Sequence, residues 1–380
     1  MKFKIQGVVW VFLGVFGLCD VLRGEQCLYL SAGGTITVRS IHPASGELSL
    51  LQTVELPGAG PMVSSRDRTT LYVSSRMGTG KDDPGAIATF SLDEAGELTL
   101  LQQAPVKHTA GFLALDAREN YLAGNNYGAG TLSVWALDRG VYQGETLQEV
   151  ILEPKAHAAV FSPDNRFLLV PATGPNKVFL SKFEEERGQI MSNDPAFVAG
   201  PQKAEEAQQP RHLLFHPELP VIYSTNERLL PGLGVWRYEV ADGNFTMEPI
   251  QNLVTNPEGY GGTITTATLR LTPDGKFLYL SNRDITDRNG PEGEDSIVCF
   301  SIDAETGRAE LVGHTPCGRH PRSFDLDESG QFLFVAGQVD ASLGAFRREA
   351  DGSLTPIGEY EVGQRPSWVL CLYPPTGGKK

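Results

Sequence analysis

His157, Arg211, Glu227 and Arg283 are side chains that can move a proton and hold an anion, and they stand at two fixed offsets within a repeating chain. An Arg guanidinium presents a planar fork of donors that matches a carboxylate or phosphate two bonds at a time. His and Glu give or take a proton beside a reacting carbonyl. Arg76, Asn126, Arg322 and Gln338 share those offsets and extend the set with groups that could hold the rest of a ligand. Together the eight read as an anion-binding cleft containing a general base or acid. A plainer reading competes: rim positions of a repeat are solvated and free to be polar, with Arg–Glu pairs offsetting desolvation.

The offsets come from a repeat. Arg68-Thr-Thr-Leu-Tyr-Val-Ser-Ser-Arg76, Gly275-Lys-Phe-Leu-Tyr-Leu-Ser-Asn-Arg283 and Gly330-Gln-Phe-Leu-Phe-Val-Ala-Gly-Gln338 are copies of one alternating segment. Their central residues belong to the series Tyr29, Tyr72, Leu122, Leu169, Tyr223, Tyr279 and Phe334, spaced by 43, 50, 47, 54, 56 and 55 residues. That period suits a four-stranded propeller blade. Period-two alternation with Ala-Gly turns at Gly96 and Asp-Gly turns at Gly243 is hairpin chemistry. The first unit, Cys27-Leu-Tyr-Leu-Ser31, lacks an inner strand, and Ser367-Trp-Val-Leu-Cys-Leu372 is an inner strand with no blade after it. Pairing them closes the ring and removes two sheet edges. The sequence thus predicts an all-β, seven-bladed propeller of four-stranded antiparallel blades.

In such a blade the start of the inner strand and the end of its neighbour lie on one face. The strand ends supply Gly33, Arg76, Asn126, Thr173, Glu227, Arg283 and Gln338; the starts supply Gly60, Gly111, His157, Arg211, Ala267, Arg322 and Pro366. Packing dictates most of a repeat, so columns this varied in type stand out.

Composition narrows the partners. Thirty-two Lys+Arg against 46 Asp+Glu give a net charge of −14, with no basic block beyond Lys379 and Lys380, which excludes nucleic acid. The 42 Gly and 25 Pro are the turn residues of one unit used seven times. Met1-Lys2-Phe3-Lys4 followed by an apolar run from Val8 to Leu18 has the size of a signal peptide and is too short to span a bilayer. Residues 1–24 are therefore expected to direct export to the periplasm or medium, and residues 25–380 to form one domain; without cleavage the chain would be cytoplasmic. Cys27, Cys299, Cys317 and Cys371 read as small buried hydrophobes, with Cys299–Cys317 the pair to consider for a disulfide because they flank one hairpin. His212 and His216 have i,i+4 spacing but fall on a strand and its turn, where they do not chelate; His216 reads as structural, and His108, His314 and His320 are scattered. Gly259-Tyr-Gly-Gly262 reads as a flexible loop leading to the rim, and Asn244-Phe-Thr246 fits a glycosylation sequon.

His157-Ala-Ala-Val-Phe-Ser-Pro-Asp-Asn-Arg166, Pro210-Arg-His-Leu-Leu-Phe-His-Pro217, Thr225-Asn-Glu227, Ser281-Asn-Arg283, His320-Pro-Arg-Ser-Phe324 and Val362-Gly-Gln-Arg-Pro-Ser-Trp368 together resemble the lactonase seven-bladed propeller family. That family includes bacterial 6-phosphogluconolactonases and fungal carboxymuconate-lactonizing enzymes. The resemblance runs from about Cys27 to Tyr373. It implies lactone hydrolysis with neither metal nor organic cofactor, on a small anionic sugar-acid or carboxylated lactone, by a monomer. It carries a catalytic His, Arg, Glu and Arg onto His157, Arg211, Glu227 and Arg283, with Glu227 or His157 as the base. A muconate-type cycloisomerase and a non-catalytic binding propeller of the cell envelope are the alternatives. Export sits uneasily with a phosphorylated sugar lactone, which is a cytosolic metabolite.

Overall fold

The computed structural model describes residues 25–80, 82–200, 207–287 and 293–376. The proposed signal segment at 1–24 lies outside them, as does most of the short Ala204–Ala207 stretch. The described residues form seven four-stranded antiparallel sheets and no helix.

Blade 1 comprises β4 (Met62–Ser64), β5 (Thr70–Arg76), β6 (Gly85–Leu92) and β7 (Leu98–Val106). Blade 2 comprises β8 (Phe112–Leu115), β9 (Tyr121–Asn126), β10 (Thr131–Asp138) and β11 (Val141–Ile151). Blade 3 follows with β12 (Val160–Phe161), β13 (Phe167–Ala172), β14 (Lys177–Glu184) and β15 (Gln189–Ala199). Blade 4 holds β16 (Pro210–Phe215), β17 (Val221–Asn226), β18 (Gly232–Ala241) and β19 (Asn244–Val254). Blade 5 holds β20 (Ile264–Leu271), β21 (Phe277–Asp284), β22 (Ser296–Ile302) and β23 (Ala309–Pro316). Blade 6 holds β24 (Pro321–Leu326), β25 (Phe332–Gly337), β26 (Ser342–Arg348) and β27 (Leu354–Glu361).

The closing blade joins the two ends of the chain. β28 (Trp368–Leu372) pairs with β1 (Gln26–Ala32), which continues to β2 (Thr35–Ile41) and β3 (Leu48–Glu55). The two strands pair antiparallel, as their complementary ends predict, with Cys27 facing Leu372 and Ser31 facing Trp368.

Burial falls outward along each blade. The second strand is covered on both faces, and all seven central residues of the repeat are at most 1% exposed. Outer strands such as β3 alternate towards solvent and leave Leu50 and Leu51 exposed. Four central tyrosines also reach across to the next blade: Tyr29, Tyr72, Tyr223 and Tyr279 donate to the carbonyls of Gly96, Gly140, Gly307 and Gly352 at 2.6–2.8 Å. Each acceptor sits in a hairpin turn at φ between 68° and 87°, a conformation open to glycine at little steric cost. The Ser162-Pro-Asp-Asn165 turn is tied by Ser162, whose hydroxyl donates to Asp164 and accepts from the Phe167 amide.

The cysteine pairing does not form. Cys299 and Cys317 are both free thiols. Ser296 pairs with Pro316, so Cys317 lies level with Asp295, four residues along the strand from Cys299. At about 3.3 Å per residue that is roughly 13 Å, beyond the reach of a disulfide.

Candidate active site

The two columns do share a rim. The amides of Gly60, Gly111 and His157 bond to the carbonyls of Ser74, Asn125 and Pro171 at the ends of the neighbouring strands. A cavity of about 490 Å³ opens at this rim, off-centre, with its wall drawn from blades 2 to 6. His157, Glu227, Arg283 and Arg322 line it. Tyr127, Arg228 and His320, which lie beside the columns, line it as well.

Glu227 is the hub. Its Oε1 accepts from Arg283 Nη2 at 2.9 Å and faces Arg211 Nε at 3.9 Å. Arg283 Nη2 also donates to the Thr266 carbonyl at 2.7 Å. Burial alone would push the Glu227 pKa up, but the charges of Arg211 and Arg283 outweigh it and hold the carboxyl below its ordinary value. Glu227 is therefore a carboxylate at neutral pH.

Arg211 is only 2% exposed and sits beneath the cavity wall instead of in it. Its Nη1 donates to the Ala267 carbonyl at 2.7 Å and to His212 Nε2 at 2.9 Å. Burial, then the repulsion of Arg283 and Arg322, presses its pKa well down, with Glu227 opposing. Arg283 is lowered to about 10, chiefly by burial, with Glu227 supporting its charge and Arg322 opposing it. Arg211 and Arg283 thus share the Glu227 carboxylate while the charge of Arg322 repels both, a balance that an incoming anion would relieve.

His157 is held neutral. Burial strips its hydration, and Arg211 and Arg322 repel a ring proton, so its pKa lies well below the ordinary histidine value. Its Nδ1 has no hydrogen-bond partner, and its ring sits between the edges of Tyr127 and His212, with centroids 5.2 and 5.6 Å away. A neutral imidazole beside paired guanidinium groups can accept a proton from water while the cations face the oxyanion that forms.

Besides Arg211, the candidates Arg76, Asn126 and Gln338 stand outside this cavity wall. Asn126 is used by its own turn, donating to the Thr109 carbonyl and accepting from the Ala129 amide; its neighbour Asn125 takes the wall position instead. Arg76 lays its stem over Gly58 and reaches the Asp83 carbonyl. Gln338 bonds through its amide to the His320 carbonyl. His216 caps a turn, accepting the Glu218 and Leu219 amides on Nδ1, as its position in the repeat suggested. His212 acts through Arg211 and the ring contact to His157, which strand periodicity alone does not reveal. His320 could have been found, since it stands two residues before Arg322 at the same strand start.

A closed seven-bladed propeller with an Arg-rich cavity at one rim defines the class of protein. The family described as "Lactonase, 7-bladed beta-propeller" matches residues 27–371. The chain belongs to that family. It is 33% identical over 327 residues to a 6-phosphogluconolactonase of Cronobacter sakazakii, covering 86% of this chain and 91% of that one. It is 32% identical over 327 residues to a 6-phosphogluconolactonase of Enterobacter sp. strain 638, covering 86% and 92%. Among solved structures, the periplasmic gluconolactonase PpgL of Pseudomonas aeruginosa superimposes with a TM-score of 0.79 at 25% identity, over 92% of this chain and 99% of that one.

Proposed function

We propose that the protein hydrolyses an anionic sugar-acid lactone of the 6-phosphogluconolactone type at the blade 2–6 cavity. The observation that carries this reading is the pairing of a neutral, buried His157 with two guanidinium groups, Arg211 and Arg283, that share the Glu227 carboxylate. An anionic substrate group docks on Arg322 and the exposed Arg228, while Arg283 faces the lactone carbonyl. His157 takes a proton from water as the water oxygen adds to the carbonyl carbon. The tetrahedral oxyanion is held by Arg283. Collapse breaks the ring C–O bond, and the proton on His157 passes to the departing alkoxide, leaving an open hydroxy acid. Glu227 and Arg211 position Arg283 and set its charge. The family relatives named 6-phosphogluconolactonase and gluconolactonase support the substrate class.

A pH-stat assay with 6-phosphogluconolactone, gluconolactone and muconolactone tests this. Wild type should release acid fastest from 6-phosphogluconolactone, and His157→Ala should fall by about 10²–10⁴-fold. Acid release no faster than buffer on every lactone would sink the reading, and turnover confined to muconolactone would move the protein to the cycloisomerases. We also propose that residues 1–24 direct export, which the periplasmic gluconolactonase neighbour supports. Sequencing the mature N-terminus decides it, because a cytosolic chain that keeps Met1 has no signal.

A further inference from the structure

Blades 5 and 6 each bring a cation to the cavity wall: Arg283 near the end of β21, and Arg322 at the start of β24. For a ligand that must meet both, the offset between those two strand ends matters as much as the charges. One buried side chain outside the wall spans them. Asp295, one residue before β22, is 3% exposed. Its Oδ1 accepts the amide of Asp284, the residue after Arg283, at 2.9 Å. The same carboxylate accepts the amide of His320, two residues before Arg322, and its Oδ2 accepts from Arg319 Nε at 2.9 Å.

Each end is also fixed from a second side. The buried Asp284 carboxylate takes the amides of Thr286 and Glu294 at 2.8 and 2.9 Å, and the Tyr260 hydroxyl. The Gly259-Tyr-Gly-Gly262 loop is thereby fastened to the same rim. His320 stands at φ 57°, a left-handed conformation uncommon for residues other than glycine. Its amide on Asp295 and its carbonyl, which accepts from the Gln338 amide at 3.3 Å, hold it there. The Thr268 hydroxyl reaches the Arg322 carbonyl at 3.0 Å, but it does so from β20, not from the strand that carries Arg283.

We propose that Asp295 is a positioning residue that sets the spacing between Arg283 and Arg322, and so favours ligands with two anionic groups over ligands with one. The proposal rests on the lactonase reading for the choice of ligand and places no step of hydrolysis on Asp295. Two joined groups bind better than either alone only while both anchors can be engaged at once. A shift between blades 5 and 6 therefore penalises the two-group ligand selectively.

6-Phosphogluconate, with a carboxylate and a phosphate, is the two-group probe; gluconate and inorganic phosphate are the one-group probes. Each is titrated into the full protein by calorimetry. Wild type should bind 6-phosphogluconate about tenfold or more tighter than either one-group ligand. Asp295→Asn keeps the volume and one acceptor oxygen, but presents a donor amide where the carboxylate accepted from blade 6. It should weaken 6-phosphogluconate by about tenfold while gluconate and phosphate stay within about twofold of wild type. Arg319→Met removes the ion pair and leaves the carboxylate, so it should move the same ratio by about threefold, and it replaces Asp295→Asn if that variant does not fold. Equal weakening of all three ligands, an unchanged 6-phosphogluconate affinity, or a wild type that does not prefer it would each overturn the proposal. Acid release from lactones is scored separately: a wild type that prefers 6-phosphogluconate yet hydrolyses no lactone ends the hydrolase reading and leaves this one standing.

Discussion

Two cavities of the propeller draw on blades 2 to 5 in common and differ in chemistry. At one rim the strand starts and their neighbours' ends carry His157, Glu227, Arg283 and Arg322 around a cavity. One to four residues past the starts at Gly111, Arg211, Ala267 and Pro366, the inner strands present Phe112, Leu214, Leu269 and Leu370. The difference shows how a repeat divides its labour. Positions inside the strand must satisfy packing in every blade, while positions at its ends meet only the channel and can differ between blades. Where blades 3 to 6 diverge at those ends, charge accumulates; where the strands remain alike, the channel stays apolar.

If the polar end is a balanced charge cluster, removing its one carboxylate should disturb it more than any change at the apolar end. Glu227→Gln should lower unfolding stability by about 3–5 kcal/mol, because it leaves Arg211 and Arg283 buried without their counter-charge. Urea denaturation measures this. Inorganic phosphate should restore part of the loss by binding the folded state, in proportion to its affinity. A variant as stable as wild type would show that the arginines are balanced by something other than Glu227.

The pH dependence sharpens the comparison next. With His157 as the proposed base, turnover requires its neutral form, and burial together with Arg211 and Arg322 has moved its pKa well below 6.5. With free enzyme, kcat/KM should therefore stay level as pH falls through 6.5 and decline only at the lower pKa. An anionic substrate offsets the arginine charges and raises the His157 pKa in the complex, so the acid limb of kcat should lie at higher pH than that of kcat/KM. The same shift has a consequence for stability. The folded pKa lies below the unfolded one, so the unfolded chain binds more protons between the two values. Stability should be full above about pH 6.5 and be lost as pH falls from there through the folded pKa. A kcat/KM limb at an ordinary histidine pKa would mean that the cations do not act on His157.

The propeller was legible because its signal is repeated seven times: the central residues, the hairpin turns and the complementary ends all point to one architecture. The site was legible where a blade obeys its column. His157, Glu227, Arg283 and Arg322 meet in one cavity, but the column cannot say whether a side chain turns inward or serves its own turn. Asn126 folds back onto Thr109 and Ala129, and Arg76 onto Gly58. Arg211 was visible as a column member, yet nothing in its spacing shows that it lies under the wall, against His212 and Ala267. Tyr127 and Arg228 stand beside the columns, where blade-to-blade alignment carries no signal.

The smallest expected effect lies between blades, away from both cavities. Tyr223 and Tyr279 each donate to a glycine carbonyl in the next blade's turn, whereas Leu122, Leu169 and Phe334 hold the equivalent place in other blades with no hydroxyl to give. Tyr279→Phe keeps the ring and removes one buried hydrogen bond, so stability should fall by about 1 kcal/mol, read as a shift of the urea midpoint at constant m-value. Because the latch touches neither cavity, lactone turnover should match wild type. A Tyr279→Phe protein with altered kcat/KM would show that blade-to-blade contacts set the geometry of the charged rim, and the two ends could no longer be treated as independent of the packing between blades.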